Sequence, residues 1–238
     1  MQELVKRLER LFLKLDHTAL MVEQALADAL YAVESGKEED ANIVFQSDDV
    51  IDAREVETER ECIRLLALYQ PAAIDLRRIC FVVKVNNDLE RMADYCAKIA
   101  KEALAIKREN ISISSFPTFF KLVEQTGTTL RQTFRLFTLR PEEGNREIFS
   151  TSAQTVEAAL AIIDADDVID AAAYEFLEQI FAANDLLSGK LKAVYHLASL
   201  GRCLERIGDL CANIAEDAVF MLTGEIIRHG GINSNDAR

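Results

Sequence analysis

Asp48-Asp49-Val50-Ile51-Asp52 and Leu89-Glu90-Arg91-Met92-Ala93-Asp94-Tyr95-Cys96-Ala97-Lys98-Ile99-Ala100 decide how this chain folds, because each is written twice. The first returns 118 residues later as Asp166-Asp167-Val168-Ile169-Asp170. The second returns 115 residues later as Leu204-Glu205-Arg206-Ile207-Gly208-Asp209-Leu210-Cys211-Ala212-Asn213-Ile214-Ala215. Two matches in the same order mean a duplicated unit of about half the chain. The offsets differ by three, so the second copy is shorter by that much between its motifs. Most of what is duplicated is acid, which points to paired carboxylate sites on a symmetric scaffold.

The surrounding sequence says what the scaffold is made of. Only 9 Gly and 3 Pro occur in 238 residues, half of the residues are apolar, and Ala, Leu, Glu, Arg and Ile dominate. Few turns and many helix formers predict long helices, and a chain of this length can bury a full core. From Glu3 to Glu34 apolar residues recur with the 3.6-residue period of an amphipathic helix, broken at Ser35-Gly36-Lys37. A second helix is expected from Glu38 to Tyr69, ended by Gln70-Pro71, and a third from Ala72 to Arg108. Residues 109–115 read as a linker. The plan then repeats. Ser115 is expected to cap a helix that opens on Phe116-Pro117 and runs to Leu139. Arg140-Pro141-Glu142-Glu143-Gly144 should turn the chain, a long helix should follow to Asp185, and Ser188-Gly189 should break it. The last helix should run from Lys190 to Leu222 and stop at Gly224. Inside it, Gly201 and Gly208 each weaken the helix by about 1 kcal/mol relative to Ala unless close packing requires them. The prediction is an all-α protein. Two antiparallel three-helix bundles, residues 1–110 and 111–238, are related by a pseudo-twofold axis.

Charge and cysteine usage narrow the functional classes. A formal net charge of −13 disfavours nonspecific binding to nucleic acid or anionic lipid and suits cations or a basic partner. The five Cys lie in apolar stretches, and none forms a CxxC pair, so reduced buried thiols in a cytoplasmic protein are expected. The first residues, Met1 to Arg7, read as charged helix rather than signal peptide, and no apolar run approaches a bilayer span.

The acids carry the chemistry. Asp48/Asp52, Glu90/Asp94, Asp166/Asp170 and Glu205/Asp209 are each four residues apart, so each pair shares a helix face. Like charges at that spacing destabilise an isolated helix by a few tenths of a kcal/mol. Basic neighbours could offset this: Arg91 and Lys98 in the first copy, Arg206 in the second. So could a hard cation held by carboxylate oxygens from two adjacent helices. Antiparallel packing would gather four acids in each half. Asn213 could add an amide oxygen, whereas Lys98 holds the matching place in the first copy, so the second site is the better metal candidate by charge. All-oxygen ligands suit Mg, Ca, Mn or ferric iron. Zinc is disfavoured because His17, His196 and His229 are far apart and no Cys/His cluster exists. A ferritin-like di-iron site needs Glu-x-x-His, which is absent. There is no GxGxxG, P-loop, GxSxG or HExxH. No catalytic residues are nominated.

These motifs resemble those of the PhoU family of bacterial phosphate-uptake regulators. The resemblance rests on Asp48-x-x-Ile51-Asp52; on Pro71-x-x-x-Asp75-Leu76-Arg77; on Asp88-Leu89-Glu90-Arg91-x-x-Asp94; on Leu204-Glu205-Arg206-Ile207-Gly208-Asp209-x-x-x-Asn213-Ile214; and on Gly224-x-x-x-Arg228-His229. It implies the same pair of three-helix bundles and no catalysis. It further implies a negative regulator that links a phosphate ABC transporter, through its ATPase subunit, to a phosphate-sensing histidine kinase. Independently of the resemblance, long helices often expose apolar stripes, so a homodimer is expected, meeting the membrane only through partners. Some members bind multinuclear iron or other metal clusters through E/DxxxD carboxylates. The matching positions are Asp48, Asp52, Glu90, Asp94, Asp166, Asp170, Glu205 and Asp209. Three departures stand out. PxxxDLR has no clear counterpart in the second half, Glu55 is matched by Ala173, and Lys98 replaces the usual Asn. A carboxylate-bridged metalloenzyme or metal store is the competing reading. A purely structural bundle with solvated acids is a third.

Overall fold

A computed structural model describes residues 2–137 and 153–227. Six long helices carry the fold: α1 (Gln2–Ser35), α2 (Glu38–Tyr69), α3 (Ala73–Arg108), α4 (Pro117–Arg135), α5 (Ala153–Ala182) and α7 (Leu191–Thr223). A single helical turn, α6 (Asn184–Leu187), sits between the last two, and a 3-10 turn (Ile113–Ser115) precedes α4. Among the described residues there is no strand.

The helix ends follow local chemistry. Gly36 takes φ +62° and its N–H donates to the Ala32 carbonyl (2.9 Å), closing α1. Gln70 adopts the left-handed conformation before Pro71 and donates to the Leu66 carbonyl. Gly224, at φ +83°, donates to the Phe220 carbonyl (2.8 Å) and ends α7. Three expectations are corrected. Ser115 does not cap α4: Phe116 holds the cap position without a side-chain hydrogen bond, and Pro117 opens the helix. Helix α4 stops at Arg135, four residues short of Leu139, in a turn through Leu136 and Phe137. The break near Ser188-Gly189 begins earlier, at Ala183, and includes α6. The expected turn at 140–144, and Arg228 and His229, lie outside the described residues.

Helices α1, α2 and α3 pack on one another, as do α4, α5 and α7, and α3 lies along α7 to join the two sets. The buried apolar side chains run continuously from one set to the other. Contacts along the α3–α7 seam show the pseudo-twofold relation directly. Glu102 of α3 accepts a hydrogen bond from Ser199 of α7 (2.8 Å). Asp217 of α7 accepts one from Lys84 of α3 (2.5 Å). With the 115-residue offset, 102 maps to 217 and 84 to 199, so each contact is the other's mate. The start of α3 therefore lies by the end of α7, and Arg77 Nε donates to the Met221 carbonyl there (3.0 Å).

Both glycines inside α7 are explained by packing. A Cβ on Gly201 would stand 2.8 Å from Phe176 Cδ1, and one on Gly208 would stand 3.0 Å from two carbons of Ile169. Close approach of α5 to α7 needs both, and it sets the spacing of the acids these helices carry.

Candidate carboxylate sites

Helices α2 and α3 bring Asp48, Asp52, Glu90 and Asp94 into one electrostatic neighbourhood. Helices α5 and α7 do the same for Asp166, Asp170, Glu205 and Asp209. The buried Ile51 and Ile169 pin α2 and α5 to the core, which orients the flanking Asp48/Asp52 and Asp166/Asp170. In the second half, carboxylate oxygens of Asp166, Asp170 and Asp209 lie within 4.8 Å of one another. No trio of the first half comes together so closely among the described residues. Glu205 stands beside this trio, near enough to feel the charges of Asp170 and Asp209.

Both sites share an unusual polar defect. Asp48 Oδ1 and Asp166 Oδ1, at equivalent places in the two copies, are buried without a hydrogen-bond partner. A buried carboxylate oxygen without a partner carries a desolvation penalty of roughly 1–3 kcal/mol, more if charged. The titration of the acids reflects this. Burial first, and then the charges of Asp52 and Asp94, push the Asp48 carboxyl up to about 6. Burial, and then the charges of Asp209 and Asp170, push Asp166 up to about 6 as well. Asp52, Asp170, Glu90 and Glu205 are also held above the ordinary carboxylate range, each by burial first and then by neighbouring acids. Carboxyls that repel one another and leave oxygens unsatisfied fit a hard cation, which would supply the missing charge and the missing partner together.

The basic neighbours behave differently in the two copies. Arg206 turns towards the site and pairs with Asp209 (2.5 Å). Its counterpart Arg91 turns the other way, to the buried Asp88 (3.6 Å). The reason is local: Asp88 maps onto Cys203, so only the first copy offers an acid three residues back. Lys98 forms no ion pair among the described residues, so it does not neutralise Asp94 as its spacing suggested. Asn213 lines an open groove of about 670 Å³ at the seam, together with Glu55, Asp88, Asp217 and Phe220. That places it beside acids of both halves, a neighbourhood its spacing from Asp209 did not predict.

Sequence reasoning missed the seam itself. Glu102 is buried between His196 Nδ1 (2.6 Å) and Ser199 Oγ (2.8 Å), and only pairing of the two repeats position by position could have signalled it. The buried Cys96 and Cys211 are core residues, as expected.

The PhoU domain sequence model matches residues 15–103 and 146–218, each stretch carrying one of the two carboxylate sites. A phosphate-specific transport system accessory protein PhoU homolog from Aquifex aeolicus is 31% identical, covering 95% of this chain and 96% of its own. The PhoU homolog 1 of Thermotoga maritima is 32% identical over 86% of this chain and 82% of its own. Among solved structures, PhoU from Pseudomonas aeruginosa superposes with a TM-score of 0.80 at 26% identity, covering 92% of this chain and 98% of that one. The phosphate transport system regulatory protein PhoU from Streptococcus pneumoniae gives 0.78 at 25% identity, covering 95% and 100%. Duplicated sequence, paired bundles and family match agree along nearly the whole length, and the chain belongs to the PhoU family.

Proposed function

We propose that the protein is a non-catalytic accessory regulator of phosphate uptake that restrains the phosphate-starvation response when phosphate is plentiful. In this reading it acts at the cytoplasmic face as a homodimer. It contacts the ATPase subunit of a phosphate ABC transporter and a phosphate-sensing histidine kinase. The observation that carries the reading is the near full-length relation to phosphate-specific transport accessory proteins. Among the described residues, no helix is long and apolar enough to cross a membrane.

Metal enters the proposal through the paired carboxylates. Asp166, Asp170, Glu205 and Asp209 would hold one centre, and Asp48, Asp52, Glu90 and Asp94 the other. Iron in a multinuclear cluster is the first choice, with Mg, Mn and Ca as alternatives. A bound cation would neutralise the mutual repulsion of these acids and tie the paired helices together. What the chain itself contributes is the spacing: Ile169 against Gly208 sets how near the Asp166 and Asp209 carboxyls approach.

The test has two arms. Phosphate uptake and a starvation reporter are measured in a bacterial strain lacking its own PhoU, complemented with this chain. Restored repression at high phosphate is expected; uptake and reporter activity unchanged by complementation would end the regulatory reading. Metal content of untagged protein, purified without chelator, is measured by mass spectrometry beside Glu90→Ala/Glu205→Ala. Ions lost in the variant support the carboxylate centres, and no metal in either sample removes them.

A further inference from the structure

Duplication preserved something besides acid. On α2, Val56 and Ile63 follow Asp52 by about one and three turns and are 40% and 57% exposed. On α5, Tyr174 and Phe181 follow Asp170 at the same spacings and are 64% and 57% exposed. Single exposed apolar residues are ordinary and need no explanation. Here they recur at matching positions in both copies, while the residue types between them have diverged. Positions seven apart share a helix face, so each pair forms a stripe, widened on α5 by the half-buried Leu177. No described helix covers either stripe.

The charge around the stripes selects the occupant. Helix α5 contains seven acidic residues and no Lys or Arg. Exposed Glu178 flanks Tyr174 on its open side, outside the acids proposed to hold metal. A second copy of the same face, or an anionic lipid surface, would meet like charge there. A helix with apolar residues at heptad spacing and basic residues beside them meets complementary charge. We infer that the α2 and α5 stripes are paired docking sites for a basic amphipathic helix of a partner protein. Two such helices bind per chain, and the α5 site is the tighter. The α2 stripe is weaker because Arg60 and Arg64 lie beside it and its side chains are smaller. This deepens the reading of the protein as a regulator that works by contact, and rests on it.

The probe is a fluorescein-labelled 18-residue peptide with Leu at heptad a and d positions and Lys elsewhere, titrated calorimetrically into the full chain at physiological salt. Two bound peptides per chain are expected. Tyr174→Ser/Phe181→Ser weakens the tighter site at least tenfold, and Val56→Ser/Ile63→Ser removes the weaker one. Photo-crosslinking of the peptide to the unmodified chain, mapped by mass spectrometry, should label α5 first; it needs no variant to fold. The inference is overturned by any of four outcomes. The first two are affinity that survives both double variants and equal binding of a Glu-for-Lys peptide. The others are crosslinks away from α2 and α5 and an α5 variant that turns a dimer into a monomer. Neither transporter nor kinase is used, so this result and the uptake result fail separately.

Discussion

Removing charge from the two half-buried acids Asp48 and Asp166 should stabilise the metal-free protein, and the effect should depend on pH in a set direction. Asp48 and Asp166 each rise from an ordinary 3.8 to about 6, first through burial and then through neighbouring acids. In the folded state these groups therefore keep their protons longer than in the unfolded chain. Stability from this source is fully present below pH 3.8, declines as pH rises towards 6, and is gone above it. At full strength a displacement of this size corresponds to about 3 kcal/mol per residue. Both carboxyls are partly open to water, so solvent screening reduces that to about 1 kcal/mol each. The sites sit in different halves and share no partner, so the effects should add. Asp48→Asn/Asp166→Asn is then about 2 kcal/mol more stable than the unaltered chain at pH 8 in chelator, or roughly 4–8 °C in Tm for a chain of this size. At pH 4 the gain should nearly vanish. Thermal unfolding followed at 222 nm reads both values. A variant less stable than its parent at pH 8, or an equal gain at both pH values, would refute the argument that these acids repel and lack partners. Adding a cation that occupies the carboxylates should reverse the order, because only the unaltered chain gains binding energy on folding.

Three further outcomes follow from packing and burial. Gly201→Ala should destabilise the protein by about 1–3 kcal/mol, since its Cβ would stand 2.8 Å from the fully buried Phe176 ring and overpacking outweighs the gain of about 1 kcal/mol in helix propensity; a rise in denaturation midpoint would contradict this. His196→Ala leaves the buried Glu102 with Ser199 as its remaining side-chain partner and should lose about 1–3 kcal/mol in urea unfolding, whereas the exposed Tyr195→Ala should change little. Thiol titration of the folded chain at pH 8 should give one fast-reacting group, the half-buried Cys80. Burial pushes Cys62 and Cys211 up to about 12 and Cys203 to about 11, and raises Cys96 as well, so four thiols should wait for unfolding. Two or more fast thiols would mean a looser core.

Helix positions were legible because their signals are local. The period of α1, the Gly36 and Gly224 stops and the Tyr69-Gln70-Pro71 ending all depend on residues within a turn or two of the boundary. The same holds for the i, i+4 acid pairs, whose shared face is fixed by helix geometry alone. What sequence could not supply depends on distance across the fold. Arg91 and Arg206 occupy equivalent positions with equivalent forward neighbours, yet they choose opposite partners because Asp88 is present in only one copy. The closeness of Asp166, Asp170 and Asp209, and the isolation of Asp48 Oδ1 and Asp166 Oδ1, come from how nearly α5 approaches α7 and α2 approaches α3. For α5 and α7 a string of letters carries that only as two unexplained glycines, and for α2 and α3 not at all. Which residues form the exposed stripes was not legible either, since an apolar residue in a helical pattern is assigned to the core by default.

The seam between α3 and α7 gives this protein a freedom that an assembly of two identical chains lacks. Where two copies of one gene product meet about a true dyad, every substitution is imposed on both sides, and a gain at one contact is tied to whatever happens at its mirror image. Here the mates are encoded separately. Ser199 answers Glu102 while Lys84 answers Asp217, and one contact has recruited His196 where the other half keeps Phe81. Each end of the molecule can therefore be retuned by mutation while the other keeps its chemistry.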